Sequence, residues 1–255
     1  MIKFFRKIRY DLIMGKNKTG RYFKYAIGEI VLVMVGILLA LQVNTWNEER
    51  KERNIEQEYL IALEEEMNYN LSDLERVMLV NQKNHEAAVE LIKYTGPQKP
   101  LISEKLFTTL IFRAVQLEVQ YRPNLGVVNE IISSGRLSIF ENKKIRKMVS
   151  SWNGQLVRVR FQEGELNGPR MELYKIMDAE GNMKNAVFDV FDDALGLSNS
   201  KFKSGNLSLL QSKKFENRLV GFIATSKFLN SSYYAKLKKE ISSSIQLIKS
   251  EIKID

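Results

Sequence analysis

The residues of this 255-residue chain whose type and spacing suit chemistry are acidic. Glu64, Glu65 and Glu66 are consecutive, and Asp189, Asp192 and Asp193 crowd the stretch NAVFDVFDDALG. Two carboxylates that converge within about 5 to 10 Å can act as general acid and base on a glycosidic bond. Consecutive glutamates on a helix point in different directions, so the triplet reads as a solvated face rather than a catalytic pair. The aspartate cluster has oxygen ligands for Ca²⁺, but its D-x-x-D-D order lacks the spacing and glycine of an EF-hand loop. His85 is the only histidine and there is no cysteine, so a histidine-based triad with a spare base, a multi-histidine metal site, a thiolate nucleophile and a zinc cluster are all excluded. Gly164, Gly168 and Gly181 are scattered and form neither a dinucleotide fingerprint nor a phosphate loop. The reading is a chain with no catalytic, cofactor-binding or metal residues, expected not to be an enzyme.

Charge is distributed unevenly along the chain. Residues 1–28 contain eight cations against one acid, Asp11, while the remainder holds 31 basic and 29 acidic residues. A protein basic throughout would suggest nucleic acid; one basic only beside an apolar run suggests a membrane surface. Aromatics interleave with cations in KFKSGN and YYAKLKK, too sparsely for nucleic-acid binding. In the basic end, Lys3, Phe4, Phe5, Arg6, Lys7 and Arg9 mix apolar and cationic side chains at roughly helical spacing, as membrane-surface contacts would. The alternative is that these cations serve only to set topology.

The apolar run is YAIGEIVLVMVGILLALQVNTW, residues 25–46, in which Ile30 to Leu41 carry no polar side chain. About 20 such residues span a bilayer, and Tyr22, Tyr25 and Trp46 stand where interfacial aromatics anchor a spanning helix. No pair of small residues offers a cleavage site near Ala40, so the segment is expected to persist as a signal anchor. The positive-inside rule then assigns residues 1–24 to a basic cytoplasmic arm, 25–46 to the membrane and 47–255 to an extracytoplasmic domain. Glu29 reaches either toward the inner headgroups or into an interhelical contact with Gly28, Gly36 and Ala40, which fall near one face. That face makes a homo-oligomer through the spanning helix a candidate arrangement, with membrane lipid and an envelope protein as further partners.

The runs FFRKIR and YAIGEIVLVMVGILLALQVNTWNEERK resemble the amino-terminal signature of an uncharacterised family of single-pass bacterial membrane proteins, common in Bacteroidetes. A looser echo lies in PNLGVVNEIISSGRLSIFENKKIRKMV, residues 123–149. The resemblance implies an inner-membrane anchor and a periplasmic helical domain, and it brings no activity or catalytic residue.

The outer residues read as all-α, a bundle of four to five helices. Leu60, Leu63, Met67, Asn70, Leu74, Val77, Asn81, Asn84, Ala88 and Leu91 step by threes and fours. A coiled-coil dimer and an intramolecular bundle both produce this seam; three asparagines in it favour the bundle. Ser103, Asn124 and Asn142 are expected helix caps, with the Ser103 helix running to about Gln120. Gly164, Gly168 and Pro169 should interrupt or kink the helix that begins after Asn142, and residues 178–208 read as loop-rich. One long closing helix carries Phe215, Leu219, Phe222, Ser226, Leu229, Tyr233, Leu237, Ile241, Ile245, Ile248 and Ile252. Three functional classes remain: a membrane-anchored interaction or scaffold module, a ligand-sensing helical domain acting through a separate signalling partner, and a carboxylate-based envelope enzyme.

Overall fold

The computed structural model describes residues 18–253, with backbone alone for 18–21. The described residues are helical and contain no strand. Among them seven α-helices follow in order: α1 Lys18–Ile92, α2 Glu104–Val115, α3 Gly126–Ser133, α4 Lys143–Glu180, α5 Met183–Phe191, α6 Lys213–Phe228 and α7 Ala235–Glu251. The chain divides into two compact units, Met1–Glu56 and Gln57–Asp255, with the boundary inside α1.

In the first unit α1 is long and apolar enough to cross a membrane, and no part of its apolar window is buried by the protein. Gly28 and Gly36 lie within it without breaking the helix. Each glycine costs about 1 kcal/mol of helix propensity relative to alanine, a small loss in a run otherwise rich in leucine.

The second unit has its own core. All ten seam residues from Leu60 to Leu91 are buried, against helices of the same chain. The asparagines in the seam are stable there because each finds partners: Asn81 Nδ2 donates to the Ser226 carbonyl at 2.9 Å, and Asn84 Nδ2 donates to the Leu117 carbonyl at 3.0 Å. α4 lies along α6, and α2 along α5. Phe107 and Phe215 join α2 to α6, with ring centroids 6.2 Å apart.

Local chemistry sets several helix starts. Ser103 Oγ accepts from the Leu106 N–H at 3.1 Å, and Asn142 Oδ1 from the Lys144 N–H at 2.8 Å, each satisfying a donor that the first helical turn leaves free. Three expectations about helix extent are corrected. α2 ends at Val115, short of Gln120, because side chains of α4 capture its terminal carbonyl: Arg170 Nε donates to Val115 O at 2.6 Å and Tyr174 Oη at 3.1 Å. α4 runs unbroken through Gly164, Gly168 and Pro169; the proline ring packs beside Gly221 of α6, where a Cβ would meet its Cγ at 3.8 Å. Packing along α6 thus holds the helix together where local propensity alone would interrupt it. Within the stretch expected to be loop, α5 forms at Met183–Phe191, started by Asn182 Oδ1 accepting from the Asn185 N–H at 3.1 Å.

The closing helix contains a π-helical segment, Leu229–Tyr234, between α6 and α7. The wider turn inserts one residue into the periodicity, so the buried positions run Ser226, Leu229, Tyr234, Leu237. Tyr234 is therefore the core residue, in place of the expected Tyr233, which is only half-buried.

Candidate functional site

Two regions hold the residues with potential function: the bare surface of α1 in the first unit, and a set of buried polar groups in the second.

Along α1 the three aromatics expected at the interface, Tyr22, Tyr25 and Trp46, are all exposed. Gly28 and Gly36 have nothing within 4 Å of where a Cβ would stand, and Glu29 and Ala40 are exposed. This face is thus uncovered by the described residues over its length. Lys3, Phe4, Phe5, Arg6, Lys7 and Arg9 lie outside the described residues.

In the second unit, Glu66 departs from the solvated face expected for the glutamate triplet. It is buried at 4% exposure, while Glu65 is exposed and Glu64 meets Lys249 Nζ at 3.3 Å. Glu66 caps α3 from a distance: Oε2 accepts from the Val127 N–H at 2.8 Å and Oε1 from the Val128 N–H at 3.2 Å. A carboxylate at a helix N-terminus satisfies orphan donors and meets the positive end of the helix dipole. Burial pushes the Glu66 carboxyl up from the usual range, and the N–H groups of Val127, Val128 and Gly126 draw it part of the way back. Leu125 holds the cap position of α3 without a side-chain bond, in place of the expected Asn124; one residue earlier, Asn124 Oδ1 accepts from the Gly126 N–H at 3.1 Å. Its backbone is tied to the seam by Asn70, whose Oδ1 accepts from the Asn124 N–H at 2.7 Å and whose Nδ2 donates to Asn124 O at 2.8 Å.

A second polar group surrounds the π-helical segment. Glu163, on the buried face of α4, accepts from Tyr234 Oη at 2.6 Å and from the Tyr121 N–H at 2.8 Å, and pairs with Arg160 at 2.8 Å. Burial, and then the nearby Glu163 charge, push the Tyr234 hydroxyl well above the ordinary phenol range, so Tyr234 is a hydrogen-bond donor and not a base. The Tyr121 hydroxyl is also pushed up by burial, and it is buried without a hydrogen-bond partner in the protein. Nearby, Asn81 joins α1 to the same segment: Nδ2 donates to Asn230 Oδ1 at 2.9 Å and Oδ1 accepts from Ser226 Oγ at 2.7 Å. A recess over Glu163 is lined by Arg160, Asn167 and Arg170. Both guanidinium groups are engaged, Arg160 with Glu163 and Arg170 with the Val115 and Gln116 carbonyls.

Glu163 was legible in principle. Val149, Trp152, Leu156, Val159 and Leu166 define an apolar face on which an acid at 163 stands out, and an acid at a core position requires buried donors. Tyr234, Asn230 and Tyr121 had no comparable signal, since their roles depend on the π-helical segment and on chain crossings.

Among the described residues no group of three or more metal-ligating side chains converges. Asp189 accepts from Thr108 Oγ1 at 3.3 Å, and Asp192 and Asp193 are exposed in the turn that follows α5. His85 is half-buried; burial, and then the Lys227 charge, hold its ring below the ordinary imidazole range against a partial offset from the Ile223 backbone.

No curated protein and no solved structure matches the chain. A family model described as "Family of unknown function (DUF6090)" matches residues 29–188, which takes in the apolar part of α1, the asparagine seam, α3 with its Glu66 cap, and α4. On that match the chain belongs to the DUF6090 family of unknown function.

Proposed function

We propose that the protein is a single-pass bacterial inner-membrane protein that presents its second unit in the periplasm as an interaction scaffold. The observation that carries this reading is the contrast between the units: the apolar window of α1 has no protein cover, whereas residues from Gln57 onward bury a complete core. An uncovered stretch of aliphatic side chains is costly in water and is stable in lipid. The cations of residues 1–24 orient the amino end toward the cytoplasm, and Lys3, Phe4, Phe5, Arg6, Lys7 and Arg9 rest on the inner leaflet. The open face at Gly28, Gly36 and Ala40 supports pairing of two spanning helices. Inside the second unit the buried acids are occupied by internal donors, which fits a structural rather than a catalytic use.

The chain has no cysteine, so single cysteines report topology directly. A cysteine at the exposed Ser243 is expected to react with a membrane-impermeant thiol reagent in spheroplasts, and one at Thr19 only after lysis. Labelling of Thr19→Cys alone in intact spheroplasts reverses the orientation, and recovery of the full chain in a detergent-free soluble fraction removes the anchor.

A further inference from the structure

The two most exposed large apolar side chains among the described residues are Leu101, at 94%, and Phe202, at 81%. They belong to loops far apart in sequence that the fold ties together. The Glu104 carboxylate accepts from the Asn206 N–H at 2.9 Å and the Leu207 N–H at 3.3 Å; Gly96 N–H donates to Leu210 O at 3.0 Å; Gln211 Nε2 donates to Pro97 O at 3.2 Å. A Cβ at Gly205 would overlap the Glu104 carboxylate, so a larger residue there would displace the acceptor that makes this joint.

Each apolar residue stands among lysines: Lys99 and Lys105 near Leu101, Lys201 and Lys203 on either side of Phe202. All four are exposed, and none is paired with an acid among the described residues. Glu104, the acid between the loops, is committed to backbone donors. The Leu101 loop follows the carboxyl end of α1, at Ile92, about 50 Å along the helix from Gln57, and the Phe202 loop is joined to it there by the Gly96–Leu210 and Gln211–Pro97 bonds. A single exposed leucine is ordinary. Two protruding apolar side chains on joined loops, each flanked by unpaired cations, match the requirements of an anionic lipid surface, where the apolar groups enter the acyl boundary and the ammonium groups meet phosphates.

We propose that this end of the second unit docks on an anionic lipid surface through Leu101 and Phe202. The proposal deepens the scaffold reading by naming what the presented end holds, but its test does not depend on the spanning helix. An acidic protein or an anionic glycan would use the lysines without needing two protruding apolar groups, which favours lipid.

The test uses the full chain in phosphatidylcholine nanodiscs, with Ser204→Cys carrying a polarity-sensitive fluorophore two residues from Phe202. Vesicles of phosphatidylcholine mixed with phosphatidylglycerol are expected to shift the emission to the blue, and phosphatidylcholine vesicles to leave it unchanged. Leu101→Ser with Phe202→Ser should weaken vesicle binding by about tenfold or more, and Lys201→Gln with Lys203→Gln by about fivefold per lysine at low salt. Because these side chains are exposed, the far-UV spectrum should be unaltered. A control carrying Lys3→Gln, Arg6→Gln, Lys7→Gln and Arg9→Gln removes the basic arm as a competing contact. The proposal is overturned by vesicle binding without a shift at position 204, by equal affinity of the tip variants, or by a shift that disappears in the arm control. A chain that fails to enter the nanodisc counts against the anchor alone, since the position-204 signal is read separately.

Discussion

Glu66 offers the sharpest test of how the second unit is held together. Its carboxylate is the acceptor for two buried N–H groups at the start of α3, a helix of eight residues that buries Val128 and Ile131 completely. Replacing Glu66 by Leu leaves both donors without an acceptor, at about 1 to 3 kcal/mol each, so about 2 to 6 kcal/mol in all. That is a large share of the roughly 5 to 15 kcal/mol that stabilises an ordinary domain. Glu66→Gln behaves differently. The amide keeps one acceptor oxygen and sheds the burial cost of the charge, so the two effects oppose and the net change is expected to be about 1 kcal/mol or less at neutral pH. Acidification separates the terms further. The folded-state pKa of Glu66 is raised above the 4.5 of an ordinary carboxyl, so its contribution to stability is complete below 4.5 and is lost as pH rises through the folded value. Wild type should therefore gain on Glu66→Gln as pH falls from neutral toward 4.5. Urea titration of the full chain in micelles, followed by far-UV circular dichroism at several pH values, reads both differences. An unchanged midpoint for Glu66→Leu, or a Gln variant as unstable as the Leu variant at neutral pH, refutes the reasoning.

The two buried tyrosines around Glu163 should respond in opposite ways. Tyr234→Phe removes a donor to a buried carboxylate and should cost about 1.5 to 3 kcal/mol, whereas Tyr121→Phe removes a hydroxyl with no protein partner and should leave stability unchanged or raise it by about 1 kcal/mol; equal losses in urea melts would contradict the assignment. His85, as the single histidine, gives one resolvable ring signal, expected to titrate below 6.5. Its folded pKa is depressed, so its contribution is present above 6.5 and lost as pH falls through the folded value, and His85→Gln should flatten that acid limb; a ring titrating above 6.5 reverses the sign. Gly36→Leu adds bulk to the open face of α1 and should abolish crosslinked dimers in membranes, while unchanged crosslinking excludes that face as the contact.

The sequence by itself determined which segments are helical and which faces turn inward wherever the information is local. The seam from Leu60 to Leu91 is buried at all ten positions read from its three- and four-residue steps, and Ser103 and Asn142 cap the helices they precede. These are properties of neighbouring residues on one helix, and periodicity reports them. Tertiary structure decided everything that depended on distant residues meeting. Glu66 caps a helix that lies about 60 positions further on, because only the crossing of α1 over the start of α3 brings carboxylate and donors together. Tyr234 displaces Tyr233 in the core because the π-helical segment shifts the register between α6 and α7, and the contacts of Asn81 with Ser226 and Asn230 lie on and beside that same segment. The loops of Leu101 and Phe202 likewise carry no signal of each other in the sequence. A window of neighbouring residues records which side of a helix is apolar, but a buried polar group is defined by its partner, and the partner is chosen only when the chain folds back on itself.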